Sequence, residues 1–323
     1  MKNIIYKFDL KILLNLLLLY ISMNRSYEEY RWSELIKSEI KKYDLSIRPG
    51  SFLDILLKIA EKDKEKNPSV YIIDRSLVKE IIECALTNGY KITDFQLENC
   101  IDRHAPELPT PVRKHIISSI YFVPQEELPE SIHSLDDVVN LYTEYVPTGY
   151  PNRRLSSISI VKNALLNESG SLIGPVIHEY IHLTPLEFSY IRPRIETQTN
   201  LYDIINNMIQ HNPLYSNYKS DIFPKNETVT ELITIYILQD AGMENIVLNK
   251  RKIIEIKLHE IEELKRRIGI NKILKEIYLI SYLIAYEIYR LSYVDKNMKE
   301  TLENINRIIE DGLRSYIEEE SKK

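Results

Sequence analysis

The residues best suited to chemistry lie in the segment 174–185, which reads GPVIHEYIHLTP. Pro175 suits the first turn of a helix and Pro185 cannot continue one, so the segment predicts a short helix of about 8–10 residues. His178 and His182 are four residues apart, about 40° from alignment on a helix, and therefore project from one face. Two neutral imidazoles with this spacing can bind one Zn²⁺ ion from the same side.

Between the two histidines, Glu179 is rotated about 100° from His178 around the helix axis. Its carboxylate can therefore act on a water molecule at the metal without being a ligand itself, as the HExxH pattern requires. The surrounding residues are apolar, which predicts a buried helix whose polar groups need partners. The alternative interpretation is an ordinary helix that carries two histidines by chance.

A zinc site of this kind needs a third protein ligand and leaves the fourth position open for water. Farther along the chain, residues 223–233 read FPKNETVTELI, in which Asn226 is a plausible N-cap for a second helix. Glu227 and Glu231 then lie on one face of that helix, which continues into apolar residues. Two inward carboxylates are costly unless a cation meets them. Candidates for the third ligand are Glu227, Glu231, Glu187, Glu196 and His211.

HExxH followed by Asn-Glu-x-x-x-Asp/Glu on a second helix resembles the gluzincin metallopeptidases, which have the thermolysin-like active site. The resemblance covers residues 172–238 and implies that Glu227 is the third zinc ligand. It also implies that Glu231 is the acid that orients a histidine ligand through its second ring nitrogen. The 45 residues from His182 to Glu227 exceed the spacing of thermolysin-like enzymes and are similar to that of the lethal-factor branch of bacterial toxin proteases.

The resemblance also implies a mechanism, in which Glu179 takes a proton from the attacking water and passes it to the leaving amine. In this class a tyrosine or histidine stabilises the oxyanion. Tyr218 and Tyr215 precede the second helix and are the first candidates, with His211 and His259 as others. A strand at residues 156–161, upstream of the HExxH helix, would be the edge strand that holds an extended peptide.

The sequence therefore predicts a zinc-dependent metallohydrolase, most specifically a metalloendopeptidase whose partner is a peptide or protein substrate. One alternative is a non-catalytic helical scaffold or binding protein that retains the zincin fold. The other is a zinc hydrolase that acts on a non-peptide amide or ester. Oligomeric state cannot be read from the sequence.

Hydrophobic periodicity predicts a predominantly helical α+β fold with a small sheet, and the resemblance implies a zincin-like catalytic core. We divide the chain into a possible signal or first helix (1–23), an N-terminal helical region (24–111), the catalytic core (112–240) and a C-terminal helical region (241–323). Half of the 14 prolines fall within residues 106–151, which predicts an irregular stretch. Two β-like runs, at 116–123 and 156–161, predict strands.

Composition excludes several classes. A net charge of −5 gives no basic surplus for phosphate, so nucleic acid is not an expected partner. No segment approaches the 18 or more apolar residues of a membrane-spanning helix, so no integral span is expected. The apolar run at 12–21 favours a structural helix, and hence a cytoplasmic protein, over a signal peptide and secretion, because no small-residue cleavage site follows it.

Two cysteines, Cys84 and Cys100, are too few for a disulfide framework or a four-cysteine zinc site. We expect both to be small buried hydrophobic residues. The chain also has only 8 glycines, and neither of the common glycine-rich phosphate motifs is present.

Overall fold

The computed structural model describes residues 27–86, 91–118, 135–145, 149–162, 171–211, 223–269 and 274–322. These residues form a mostly helical α+β fold with one small sheet, which confirms the predominantly helical α+β class predicted from the sequence. The apolar run near the N-terminus lies outside them, as do Tyr215 and Tyr218. In the part of the chain that is described, no helix is both long enough and apolar enough to cross a lipid bilayer.

The helices are α1 (Trp32–Lys42), α2 (Phe52–Lys62), α3 (Arg75–Leu86), α4 (Asp94–His104), α5 (Thr110–Ser118), α6 (Leu135–Tyr145), α7 (Ile173–Leu183), α8 (Arg192–Gln198), α9 (Leu201–His211), α10 (Phe223–Asp240), α11 (Glu244–Ile268), α12 (Leu274–Leu291) and α13 (Lys296–Lys322). A π-helical turn, Leu186–Ile191, joins α7 to α8. One hydrophobic core receives residues from helices along the whole described length.

The sheet has four strands, β1 (Tyr27–Arg31), β2 (Ser69–Asp74), β3 (Gly149–Asn152) and β4 (Ser157–Lys162), in the order β1-β2-β4-β3. The central pair β2 and β4 is parallel, and both outer pairs are antiparallel. The sheet therefore takes strands from both sides of the proline-rich stretch.

The predicted strand at 156–161 is present as β4, but its predicted place at the edge is wrong. β4 pairs with β2 on one side and β3 on the other, and five of its six residues are buried. Burial on both faces is typical of a central strand. Among the described strands, β3 is the edge on this side, and the 3₁₀ turn Arg153–Leu155 connects it to β4.

The predicted HExxH helix is present as α7, with Pro175 in its first turn. It is apolar on nearly all sides and lies in the interior, where the ring of Tyr180 stacks on that of Trp32. The backbone N–H of Leu172, just before the helix, donates to Oε2 of the buried Glu39 at 2.7 Å. A carboxylate at this end opposes the positive pole of the helix and satisfies one of its free N–H groups.

Two local predictions are wrong. Residues 116–118 of the first β-like run belong to α5, because Val112 and Ile116, one helical turn apart, are both fully buried there. The rest of that run lies outside the described residues. Asn226 is not an N-cap, because α10 already begins at Phe223; Pro224 fits in its first turn, where a missing N–H costs nothing.

The expectation that both cysteines are simply small buried hydrophobic residues is also wrong. Cys84 of α3 and Cys100 of α4 form a disulfide across a sequence separation of 16 residues. Helical spacing places each cysteine on the face that packs against the other helix, which sequence composition by itself does not reveal.

Candidate metal centre

Two helices bring three potential ligand atoms to one point. α7 supplies His178 and His182, and α10, which packs against it, supplies Glu227. The Nε2 atoms of the two histidines are 3.2 Å apart. Oε2 of Glu227 lies 3.2 Å from Nε2 of His178 and 3.5 Å from Nε2 of His182.

These separations fit a tetrahedral ion. Ligands about 2.0–2.1 Å from zinc at tetrahedral angles are about 3.3–3.4 Å from one another. The three measured separations fall on either side of that value. Among the described residues, His178, His182 and Glu227 are the group of histidine, cysteine and acidic side chains that meets the requirements of a metal site. Three ligands leave one tetrahedral position open.

The ring of His178 is fixed by a buried acidic group. Oε2 of Glu231 lies 2.9 Å from its Nδ1, and Oε1 of the same carboxylate accepts hydrogen bonds from Lys250 at 2.6 Å and Tyr286 at 2.7 Å. Burial raises the pKa of Glu231, but Lys250 and His178 overcome it and lower the pKa to about 2. Because this carboxylate is ionised, it must accept from Nδ1–H, so Nε2 of His178 is the ring atom that can bind a metal when it gives up its own proton.

His182 also has a buried carboxylate beside its Nδ1, a role in which the sequence did not reveal this residue. Its Nδ1 lies 3.0 Å from Oε2 of the fully buried Glu187, whose other oxygen accepts from Arg192. Burial raises the pKa of Glu187, and His182 and Arg192 lower it by more, so the carboxylate is ionised. Nε2 of His182 lies beside Nε2 of His178 and Oε2 of Glu227. Burial lowers the pKa of His182, but Glu227 and Glu187 raise it by more, so a metal would bind this atom in place of its proton.

Glu179 follows His178 on α7 and lies against β3, close enough to the cluster for the charges of His178, His182 and Glu227 to act on its pKa. A Cβ atom added to Gly149 of β3 would overlap the Glu179 carboxylate, so the glycine leaves space for this side chain. Burial raises the pKa of the Glu179 carboxyl. A carboxylate of raised basicity beside an open metal position is suited to accept a proton.

A row of tyrosines on α12 covers the cluster. Tyr282 contacts the edge of the His178 ring, and its hydroxyl lies 3.5 Å from Nε2 of that histidine. Tyr278 and Tyr286 lie one helical turn away on either side. Burial and the nearby carboxylates raise the pKa of Tyr282 well above its ordinary value, so its hydroxyl keeps its proton and can donate it in a hydrogen bond.

The remaining candidates lie elsewhere or outside the described residues. His211 is exposed and donates from Nδ1 to the carbonyl of Asn207. Glu196 is exposed and accepts from Tyr202, and His259 is exposed beside Glu263. Tyr215 and Tyr218 fall in residues 212–222, of which the structure describes nothing.

Four residues of the cluster were missed by sequence reasoning or were given another role: Glu187, Lys250, Tyr282 and Tyr286. The four-residue spacing of Tyr278, Tyr282 and Tyr286 was a signal for one helical face, although 23 tyrosines in the chain made it inconspicuous. No comparable pattern marks Lys250, which belongs to a helix rich in charged residues.

Comparison with protein-family models, with curated proteins and with solved structures finds no match to this chain.

Proposed function

We propose that this protein is a zinc-dependent metallohydrolase that cleaves peptide bonds, with an active site of the gluzincin type. One observation carries the proposal: Nε2 of His178, Nε2 of His182 and Oε2 of Glu227 lie within 3.5 Å of one another, and both rings are oriented by buried carboxylates. Two imidazoles and one carboxylate are the ligand set of several zinc peptidases.

The buried cluster fits a cation better than it fits an empty site. With both Nδ1 atoms directed at carboxylates, two Nε2 atoms and a carboxylate oxygen converge on one point. Burial lowers the pKa of both histidines, but the carboxylates around them raise it by more, so the cluster favours positive charge, which a divalent cation would supply. In the proposed reaction the zinc ion supplies Lewis acidity, which polarises the carbonyl and lowers the pKa of water.

The chain's own residues account for the remaining steps. Glu179 accepts a proton from the attacking water and delivers it to the leaving amine. Tyr282 donates a hydrogen bond to the oxygen on which negative charge develops, a role that the sequence alone had assigned to Tyr218 or Tyr215. β3, with Gly149 against Glu179, offers an edge along which an extended peptide can lie.

Two observations favour this function over its alternatives. Among the described residues no fourth acidic, histidine or cysteine ligand closes the cluster, whereas structural zinc sites are four-coordinate. This supports an enzyme over an inert scaffold. The edge strand beside the proposed base supports a peptide substrate over a small amide or ester.

The test is zinc content per chain in protein purified without added metal, followed by cleavage of a defined peptide library. We expect about one equivalent of zinc. His182→Ala should lose the zinc, whereas His211→Ala, the matched control at an exposed histidine, should keep it. Glu179→Gln should keep the zinc and lose hydrolysis. Failure to take up zinc at neutral pH, or full hydrolysis by Glu179→Gln, would refute the proposal.

A further inference from the structure

An arginine stands at the end of the proposed substrate strand. Arg153 directly follows β3, and its Nε donates to the backbone carbonyl of His182 at 2.9 Å. The residue that offers a ligand atom to the metal therefore also holds this guanidinium in place. Only one of the five N–H groups of Arg153 is used in this bond.

A neighbouring aromatic ring restrains the same guanidinium. Arg153 lies over the Phe188 ring at 4.4 Å, and Arg192 lies over that ring at 4.1 Å. The two arginines differ in charge balance, because Arg192 is paired with the buried Glu187. In the described part of the chain no carboxylate forms an ion pair with Arg153, and Arg153 is exposed to solvent. Its outward N–H groups form a fixed fork of the kind that binds a carboxylate.

The position of Arg153 relative to the cleaved bond follows from β3. Gly149, at the start of this strand, contacts Glu179, and Arg153 is four residues farther on, about 13 Å along an extended backbone. A peptide paired antiparallel to β3, the more stable arrangement, runs in the opposite direction. The peptide residues beside Arg153 would then precede the cleaved bond.

Pro151 makes such a side-chain contact more important. It lies in the middle of β3 and has no N–H group, so the edge offers one donor fewer than an ordinary strand. With fewer backbone hydrogen bonds available, binding must depend more on side chains.

We propose that Arg153 binds a carboxylate of the substrate, so that this protein prefers acidic peptides with Asp or Glu a few residues before the cleaved bond. The inference rests on the proposed peptidase function. The same fork would also accept the C-terminal carboxylate of a peptide bound in the opposite direction.

A purely structural role for Arg153 makes a different prediction. Its bond to His182 satisfies one of the last carbonyls of α7, as basic side chains near a helix C-terminus often do. Loss of that bond would weaken activity towards all peptides equally. A carboxylate-binding role instead changes the ratio of kcat/KM between a peptide with Glu and the same peptide with Gln.

The experiment uses the full chain and a defined library of tetradecapeptides, prepared once with blocked termini and once with free C-termini. Cleavage by the wild type is compared with that by Arg153→Gln, Arg153→Lys and the control Arg154→Gln, in which the adjacent exposed arginine of the same turn is changed. Glu/Gln pairs of one cleaved peptide then give the kcat/KM ratio. The same library is also passed over immobilised, zinc-loaded Glu179→Gln, with and without Arg153→Gln, to measure retention without hydrolysis.

We expect Asp and Glu to be enriched before the cleaved bond in both libraries. Arg153→Gln should lower the Glu/Gln ratio about tenfold or more, Arg153→Lys should lower it less, and Arg154→Gln should leave it unchanged. Cleavage that requires a free C-terminus and shows no preference for Asp or Glu would assign Arg153 to the terminal carboxylate and overturn the preference for acidic side chains. Cleavage without acidic preference, or with a preference that survives Arg153→Gln, would overturn the inference and leave the peptidase function intact.

If no peptide is cleaved, the proposed peptidase function is refuted. Retention of peptides on the immobilised protein then tests carboxylate binding by Arg153 separately. Retention of acidic peptides that disappears with Arg153→Gln would support a carboxylate-binding site. Retention without acidic preference, or no retention, would overturn it.

Discussion

Gly149 of the edge strand lies against the carboxylate of Glu179, in the space that any side chain at position 149 would occupy. Because strand and helix meet here without a Cβ atom between them, the carboxylate of the proposed base can be buried against the strand. The glycine is needed for close approach, not for an unusual backbone conformation.

Gly149→Ala should therefore displace Glu179 while leaving the ligand residues in place. We expect zinc content to be unchanged and kcat to fall by about 100-fold or more, which is the contribution of a positioned general base. Gly174→Ala is the matched control. A Cβ atom added to this glycine of α7 would lie 3.8 Å from Cδ of Lys250 in α11, which is an ordinary van der Waals contact. The control should be as active as the wild type; equal activity of Gly149→Ala would show that Glu179 is not held as described.

The pair of Glu231 and Lys250 should determine metal affinity and stability together. Glu231→Gln replaces the charged acceptor of His178 Nδ1–H by a neutral amide, and we expect zinc affinity to fall about 10- to 100-fold in a competition titration with a chelator. It also leaves the buried Lys250 ammonium without its counter-charge, which should lower the free energy of unfolding by about 3–5 kcal/mol.

The double variant Glu231→Gln/Lys250→Met separates the two effects. With no buried charge left unpaired, it should recover most of the stability in urea unfolding, but it should not recover zinc affinity. If the double variant recovered both stability and zinc affinity, or neither of them, then Glu231 would not orient His178 while Lys250 neutralises its charge.

Tyr282→Phe should affect the chemical step. Its hydroxyl is the donor nearest to the metal position on α12, and loss of one oxyanion donor costs about 100-fold in kcat. Zinc content should not change, since the tyrosine is not one of the three ligands. Tyr289→Phe is the control on the same helix, because that hydroxyl bonds to Gln239 and Tyr293 instead. A normal kcat for Tyr282→Phe would exclude it as the donor.

The Cys84–Cys100 disulfide should stabilise the fold and leave the metal site unaffected. A bridge that closes a loop of this length contributes about 3 kcal/mol in the chain-entropy account. Replacing both cysteines by serine should lower the free energy of unfolding by about that amount, with zinc content unchanged. Intact mass before and after reduction shows whether the bond forms: two free thiols in protein purified under oxidising conditions would contradict the structure.

The sequence correctly predicted the elements whose structure depends on a few consecutive residues, α7 and β4. The prolines that bound α7 and the four-residue spacing of its histidines predicted a helix with both rings on one face, and the structure has that helix. Alternation in residues 156–161 likewise predicted the strand β4. In both cases backbone geometry and side-chain period are properties of a few consecutive residues.

Local rules failed where packing overrode propensity. A short isoleucine-containing run predicted a strand at residues 116–118, but burial of Val112 and Ile116 on one face stabilises a helix there. The start of α10 was placed too late because Asn226 is a good N-cap by type, whereas the helix extends one turn farther towards the N-terminus.

The sequence by itself determined the identity and spacing of His178, Glu179 and His182, and the helical period that puts Glu227 and Glu231 on one face. Only the tertiary structure decided that α10 turns this face towards α7, that Glu187 meets His182, and that Lys250, Tyr282 and Tyr286 cover the cluster from α11 and α12. It also placed Gly149 against Glu179 and Arg153 at the end of the edge strand. The physical reason is that helical period fixes direction within one element, whereas contacts between distant elements depend on how their apolar surfaces pack together.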